Sequence, residues 1–296
     1  MASASLSYKL IKKIKDEKFD VDRIQQYDLL LHLGVRDFQI GIVDTESDKL
    51  VFFEDYIFGN LSSTEDQKKL LQELFESHHL LGAGFWKKVK FSIKNSKFVQ
   101  VPEALFVKEA APDYLKFNAK VDEAEDKVLC CASKNGAVTV FAIPSILHHW
   151  IVSHYKNTTV HFLHQSAGLI EGIQEAAKSH AEEPLYIYID RFKLHIISVS
   201  KGKLKYYNQF SIKHFADYVK YIMLVLNAMG MNQQTSKIVL WGYIGKNSPH
   251  SIEFSKYIKN VSFGSRPSYL KFGYLFDEIQ DHHFLDLYSL HLLATA

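Results

Sequence analysis

Apolar and polar residues alternate along two stretches of the chain that read almost alike. From Leu29 to Leu50 the sequence runs LLLHLGVRDFQIGIVDTESDKL, and from Leu185 to Leu204 it runs LYIYIDRFKLHIISVSKGKL. At a constant offset of 154 residues, Leu31, Leu33 and Val35 fall on Leu185, Ile187 and Ile189, while Phe38, Ile40 and Ile42 fall on Phe192, Leu194 and Ile196. Lys49–Phe58 falls in the same way on Lys203–Ile212. Alternation with a period of two turns one face of each strand into a core. Arg36-Asp37 and Asp190-Arg191 interrupt the runs as first polar turns, and Asp48 and Gly202 mark second ones. Each copy is expected to form a three-stranded meander.

A change of period follows each meander. Thr64 and Gln67 make a capping-box pattern, after which Leu70, Leu71, Leu74, Phe75 and Leu81 recur at helical spacing. In the second copy the stripe is Phe215, Val219, Ile222, Leu226 and Met229, with Gly230 as the stop. A strand comes next each time, KVKFSI and then SKIVLWGYI, and Ser248-Pro249 reads as the N-cap and first residue of a further helix. Between the copies, Asn135-Gly136 separates two apolar runs as a hairpin turn. Pro144 opens a helix reaching Tyr155, TTVHFLH is a strand, and SAGLIEGIQEAAKSH is a helix leading into the second copy. The matched order of meander, helix, strand and helix predicts two α/β domains, 1–156 and 157–296.

Composition narrows the classes of function. Against 35 Lys and Arg stand 33 Asp and Glu, a formal net charge of +2, so nucleic acid and anionic membrane are not expected partners. The FWKKVKFSIKNSKF segment mixes lysines with aromatics as an RNA surface does. Its alternation reads more simply as an edge or half-exposed strand whose lysines discourage further pairing. The only cysteines, Cys130 and Cys131, are adjacent and read as reduced thiols in a strand. The first residues lack a signal-peptide apolar region, and no run approaches about 18 apolar residues. A cytoplasmic protein without a membrane span is expected.

Fifteen histidines raise the question of a metal. His148, His149 and His154 share one predicted helix without the i, i+4 spacing that a helical site needs. His161 and His164 face opposite ways on a strand, and His78-His79 and His282-His283 have no carboxylate or cysteine frame. No metal site is expected.

A doubled meander with alternating helices and strands is similar to the actin-like (ribonuclease H-like) fold of actin, Hsp70, sugar kinases and pilus-assembly ATPases. More closely, FDVDRIQQYDLLLHLGVRDFQIGIVD, FVQVPEALF, YLKFN and HHFLDLYSL resemble the bacterial domain-of-unknown-function family 3822 over nearly the whole chain. That resemblance implies the actin-like ATPase fold and no established activity.

Actin-like ATPases place an Asp-x-Gly-Ser/Thr turn after the first strand of each domain. Glycine admits a phosphate to the backbone N–H groups, the hydroxyl adds a donor, and the acid positions hydrated Mg²⁺. In this chain the first such position reads His32-Leu33-Gly34-Val35, and the second, at the same offset, Tyr186-Ile187-Tyr188-Ile189. VLWGYIGKNSP, with Gly242 and Gly245, resembles the turn that passes beneath a nucleotide base. The expectation is therefore a protein with degenerate nucleotide-binding motifs, no catalytic residues and no cofactor, acting as an interaction or scaffold protein through a protein partner or self-association. The alternative is an ATP/Mg-binding ATPase or switch that uses Gly34, Asp37, Asp190, Gly242 and Gly245.

Overall fold

The computed structural model describes residues 7–59, 61–134, 136–191 and 193–294. Asn135 of the expected hairpin and Phe192 of the repeat lie outside these residues. The chain gathers into two compact units, Met1–Gly168 with Tyr269–Phe276 and Leu287–Ala296, and Leu169–Ser268 with Asp277–Asp286. The division falls within the helix Gln165–Ala177, and two C-terminal segments belong to the first unit, whereas the sequence reading set one boundary at residue 156.

In the first unit, β1 (Tyr8–Lys15), β2 (Tyr27–Leu33), β3 (Asp37–Asp44) and β4 (Lys49–Phe58) precede α1 (Thr64–Ser77) and β5 (Lys88–Ile93). Then come β6 (Phe98–Pro102), α2 (Ala111–Lys116), β7 (Asp126–Ala132), β8 (Ala137–Pro144), α3 (Ser145–His154), β9 (Val160–His164) and α4 (Gln165–Ala177). The second unit holds β10 (Leu185–Ile189), β11 (Lys193–Ser200), β12 (Lys203–Ser211), α5 (Phe215–Ala228), β13 (Ile238–Gly242), α6 (Pro249–Tyr257) and β14 (Val261–Phe263). A short β15 (Lys271–Phe272) pairs with β4 of the first unit.

The main sheets share an order. In the first unit it is β1-β4-β3-β2-β5-β9, and in the second β12-β11-β10-β13-β14. Each meander is antiparallel, and two parallel strands follow it: β5 and β9 in one sheet, β13 and β14 in the other. The last two strands of each meander also carry a register shift at corresponding places, Ile42/Val43 and Ser198/Val199. Among the described residues, β1 has no counterpart in the second unit; its lysines and its own register shift between Leu10 and Lys12 obscure the alternation in sequence.

The expected alignment at 154 residues needs a correction. The first turns close on Leu33↔Phe38 and Ile189↔Leu194, with the Gly34 N–H donating to Asp37 O at 2.9 Å and the Asp190 N–H to Lys193 O at 2.8 Å. Leu33 therefore answers to Ile189, an offset of 156 residues. The second turn is two residues shorter in the second meander, Ser200↔Lys203 against Asp44↔Lys49, and this restores 154. A slip of two residues leaves every side chain on its own face, so hydrophobic patterning is blind to it. On the corrected alignment His32 answers to Tyr188, Gly34 to Asp190 and Val35 to Arg191.

Opposite faces of the first sheet meet different neighbours. Leu29, Leu31, Leu33, Phe38, Ile40, Val89 and Phe91 are buried on one face, where Phe75 of α1 lies 6.1 Å from Phe38 and 4.9 Å from Trp150 of α3, ring to ring. The other face carries a buried polar row, Asp55, Gln39, His32 and Ser92, aligned strand to strand. The segment from Leu287 to Leu293 lies on this face. Lys90 Nζ donates to the carbonyls of Leu290, His291 and Leu293, at 3.0 Å each. Burial lowers the Lys90 ammonium to about 8, with the charge of Asp28 pushing back. The edge-strand reading of the lysine-rich segment is thereby corrected: β5 is central, between β2 and β9, and Lys90 and Lys94 are buried.

Inserted between β5 and β9, a small sheet of order β6-β8-β7 packs Val101, Val138 and Val140 against Ala111 and Leu115 of α2. In the second unit α5 stops as expected. Gly230 adopts φ 66°, and the Met231 N–H reaches back to Leu226 O at 2.8 Å, a Schellman closure.

Candidate functional site

Both sheets present the C-terminal ends of neighbouring parallel strands, where open α/β sheets bind ligands. In the first unit this edge is made by β2, β5 and the N-terminus of α1. Gly34 stands where the phosphate-binding glycine is expected, but its open side is filled by the protein itself. A Cβ there would fall 1.9 Å from Asp37 Oδ1. The Asp37 carboxylate in turn meets Lys94 Nζ at 2.7 Å, and both side chains are nearly fully buried. Glycine is thus required by a carboxylate folded over it. Val35, in the hydroxyl position, is 61% exposed and offers no donor.

The cavity beside this turn measures about 400 Å³, lined by Gly34, Val35, Ser62, Ser63, Thr64, Gln67, Asn95 and Lys97 among others. Helix α1 starts one residue earlier than its sequence pattern suggests. Ser63 is the N-cap, accepting from the Asp66 N–H, and the Asp66 carboxylate accepts from the Ser62 N–H and hydroxyl. Those hydrogen bonds, the Ser62 hydroxyl first, hold Asp66 below the usual carboxylate range. Gln67, the expected capping partner, donates to Gly34 O at 2.7 Å instead. A helix N-terminus attracts phosphate through free N–H groups and its dipole. Here Glu65 and Asp66 already supply the negative charge.

The corresponding edge of the second unit is built differently. Tyr188, in the acid's place, is fully buried and donates its hydroxyl to Asp286. Burial, then the charges of Asp286 and Asp190, push that phenol well above its ordinary value. Asp190 is 5% exposed and accepts from the Arg191 N–H at 2.7 Å. The Arg191 guanidinium lies over the Tyr243 ring, 4.4 Å from its centroid. A cavity of about 400 Å³ is lined by Asp190, Arg191, Phe215, Tyr218, Tyr243, Gly245, Ser248, His250 and Phe254, with the aliphatic Ile189 and Ile244.

Gly242 does not line this cavity. At φ 89°, a Cβ on it would meet Ile189 O at 2.1 Å, while its N–H donates to His282 O at 2.7 Å. Its role is the close approach of two backbones. The structure therefore brings Asp190 and Gly245 to one cavity, places Gly34 and Asp37 side by side in the other unit, and leaves Gly242 as a backbone requirement. Sequence reasoning missed Lys94, Asp286 and the aromatic wall of Phe215 and Tyr218. The Ser63-to-Asp66 capping spacing was a usable signal; the long-range partners had none. Among the described residues, no three His, Cys, Asp or Glu side chains form a group able to hold a metal ion, and no helix is long and apolar enough to cross a membrane.

The chain is similar in structure to a Bacteroides thetaiotaomicron protein with actin-like ATPase fold and unknown function. Identity is 21%, the match covers 93% of this chain and 99% of that one, and the TM-score is 0.76. It is also similar to a chain of the PilM-PilN type IV pilus biogenesis complex, at 10% identity and a TM-score of 0.58, over 90% of this chain and 97% of that one. At these identities the likeness concerns the fold, which is the actin-like ATPase fold. Among curated proteins none matches. Residues 16–261 match the model of one protein family, and the chain belongs to it: Protein of unknown function (DUF3822).

Proposed function

We propose that this chain is a non-catalytic interaction protein of the bacterial cytoplasm, built by internal duplication on an actin-like frame whose phosphate-binding turns have degenerated. The shared strand order and the corresponding register shifts support duplication. One observation carries the loss of nucleotide chemistry: the Asp37 carboxylate is folded over Gly34 and paired with Lys94 at 2.7 Å. The acid nearest the expected phosphate position is thus engaged by a lysine, and the glycine's space is filled. A protein partner or a second copy of the chain is the expected ligand. The occurrence of the similar fold in the PilM-PilN complex supports that direction.

A second reading, an ATP-binding switch, is favoured by Asp190 and Gly245 sharing a cavity at the ends of parallel strands. Titration of ATP and ADP into the full chain, with and without Mg²⁺, separates the two, together with a phosphate-release assay. No heat at millimolar nucleotide and no phosphate release is the expected result. Micromolar, Mg-dependent binding would sink the non-catalytic reading.

A further inference from the structure

We propose that the exposed face of α2, together with the segment leading into it, docks a cationic amphipathic segment of a partner protein. The proposal rests on the interaction-protein reading and names the surface and the chemistry of the partner. Large apolar side chains lie open on this face: Phe117 is 89%, Leu105 68% and Val107 53% exposed. The extended backbone at Phe106 and Val107 turns successive side chains to opposite sides. Phe106 therefore packs on the core of the small sheet, and Leu105 and Val107 are left facing out. Tyr114 of α2 ties this segment to the helix, its hydroxyl donating to Leu105 O at 2.8 Å and accepting the Val107 N–H at 3.2 Å. Phe117 follows Tyr114 by three residues in helical conformation, so the two are neighbours on the helix surface. Three exposed apolar side chains thus gather round one tyrosine, the kind of patch that marks an interaction site.

The charge around the patch selects what can cover it. From Glu103 to Asp113 three acids, Glu103, Glu109 and Asp113, stand against Lys108 alone, and all three are exposed. Asp113 precedes Phe117 by four residues and shares its side of the helix. Beyond it Lys116 is taken up by Glu123, and Asp122 and Glu125 are exposed as well. Between Glu103 and Asp126 seven Asp and Glu outnumber three Lys, in a chain whose net charge is +2. Such a rim repels an anionic bilayer or a nucleic acid. A second copy seated on the same patch by two-fold symmetry would bring its own acids against these. Apolar anchors flanked by Lys or Arg answer both the patch and its rim. The patch also lies on an addition to the first unit: among the described residues, the second has no sheet inserted between β13 and β14. FVQVPEALF and YLKFN, which hold Leu105 and Phe117, are among the stretches by which the chain resembles its family, and neither lines the cavity beside Gly34.

The test is calorimetric titration of the full chain with the peptide LKKLLKLLKKLLKL, amphipathic as a helix, and with its acidic counterpart LEELLELLEELLEL. Saturable micromolar binding of the first and none of the second is expected. Leu105→Ser with Phe117→Ser should weaken binding by about tenfold or more, as the loss of interface anchors does. Glu109→Gln with Asp113→Asn should weaken it severalfold at about 0.1 M salt and less at about 1 M, where the Debye length falls to about 3 Å. All four side chains are exposed, so the variants should melt as the parent chain does. If the apolar pair of substitutions does not fold, Phe117→Ser alone decides. No binding at submillimolar peptide, or binding of the basic peptide that the apolar substitutions leave intact, would overturn the proposal. So would concentration-dependent self-association that Phe117→Ser abolishes, since it would give the face to a second copy. Titration of ATP with Mg²⁺ separates this surface from the reading beneath it. Micromolar ATP binding would sink the non-catalytic reading and leave a peptide-binding face standing, whereas silence to peptide and to ATP would sink only the face.

Discussion

Lys94 Nζ lies 2.7 Å from Asp37 Oδ2, and neither side chain is more than a few per cent exposed. Two charges withdrawn from water in this way are stable only as a pair. Asp37→Asn should therefore destabilise the first unit by about 3–5 kcal/mol, because it removes the carboxylate charge that faces a buried ammonium. Asp37→Leu combined with Lys94→Met should recover most of that loss, since well-packed apolar replacements of a buried pair are often neutral. Urea unfolding of Asp37→Asn and of the double variant measures this directly. Equal destabilisation by the double variant would show that the pair does more than satisfy itself.

At the end of β13 a glycine is demanded by geometry. With φ at 89° and Ile189 O only 2.1 Å from where a Cβ would sit, Gly242→Ala combines a disfavoured backbone with a collision against main chain, which cannot rotate away. We expect a loss of at least about 2 kcal/mol. Gly202→Ala is the control. Its φ of 74° is similar, but nothing lies within 4 Å of the added methyl, so its cost should be the backbone strain alone. Thermal melts of the two variants should differ clearly, and equal shifts would remove the collision from the account.

What could be read from the sequence, and what could not, follows from the range of the forces involved. Alternation in LYIYI and DFQIGIVD located the strands of both meanders, because burial of one face is a local pattern. The two-residue slip between the two meanders leaves no trace in the pattern for the same reason: period two is unchanged by a shift of two. In Ser63-Thr64-Glu65-Asp66-Gln67 two capping frames overlap, and the chain takes the one that ends on Asp66. Lys90 and Lys94 were read as solvent-facing because charge is normally exposed. What buries them lies far along the chain, the carbonyls of Leu290 to Leu293 and the Asp37 carboxylate. The second-unit cavity was only half legible. Asp190 and Gly245 were named, whereas Phe215 and Tyr218 passed as part of a core-facing helix stripe.

Lys90 anchors the C-terminal segment through three carbonyls, so its removal has a local signature. Lys90→Met keeps the apolar stem and leaves acceptors without their donor, at a cost of about 1–3 kcal/mol. The expected readout is faster amide exchange across residues 287–294 and at β5, with the second unit's β10 and β13 unchanged. Uniform acceleration throughout the chain would mean that the anchor supports global folding and not one segment.

The second unit should also weaken in mild acid. Burial, reinforced by the neighbouring His282, lowers His283 to about 4, and burial lowers His282 in the same direction. In the unfolded chain a histidine titrates near 6.5. Between those values the unfolded state holds more protons than the native one, so stability rises with pH across this window. The contribution is complete above about pH 6.5 and is lost as the pH falls through about 4. Urea midpoints taken between pH 7.5 and 5 should fall with acidity, and His283→Gln should flatten that slope while leaving the value at pH 7.5 the less affected. Lys90 does not enter, since its own transition lies near pH 8. A midpoint that stays constant down to pH 5 would show that water reaches His283 despite its packing against Tyr243 and Phe284.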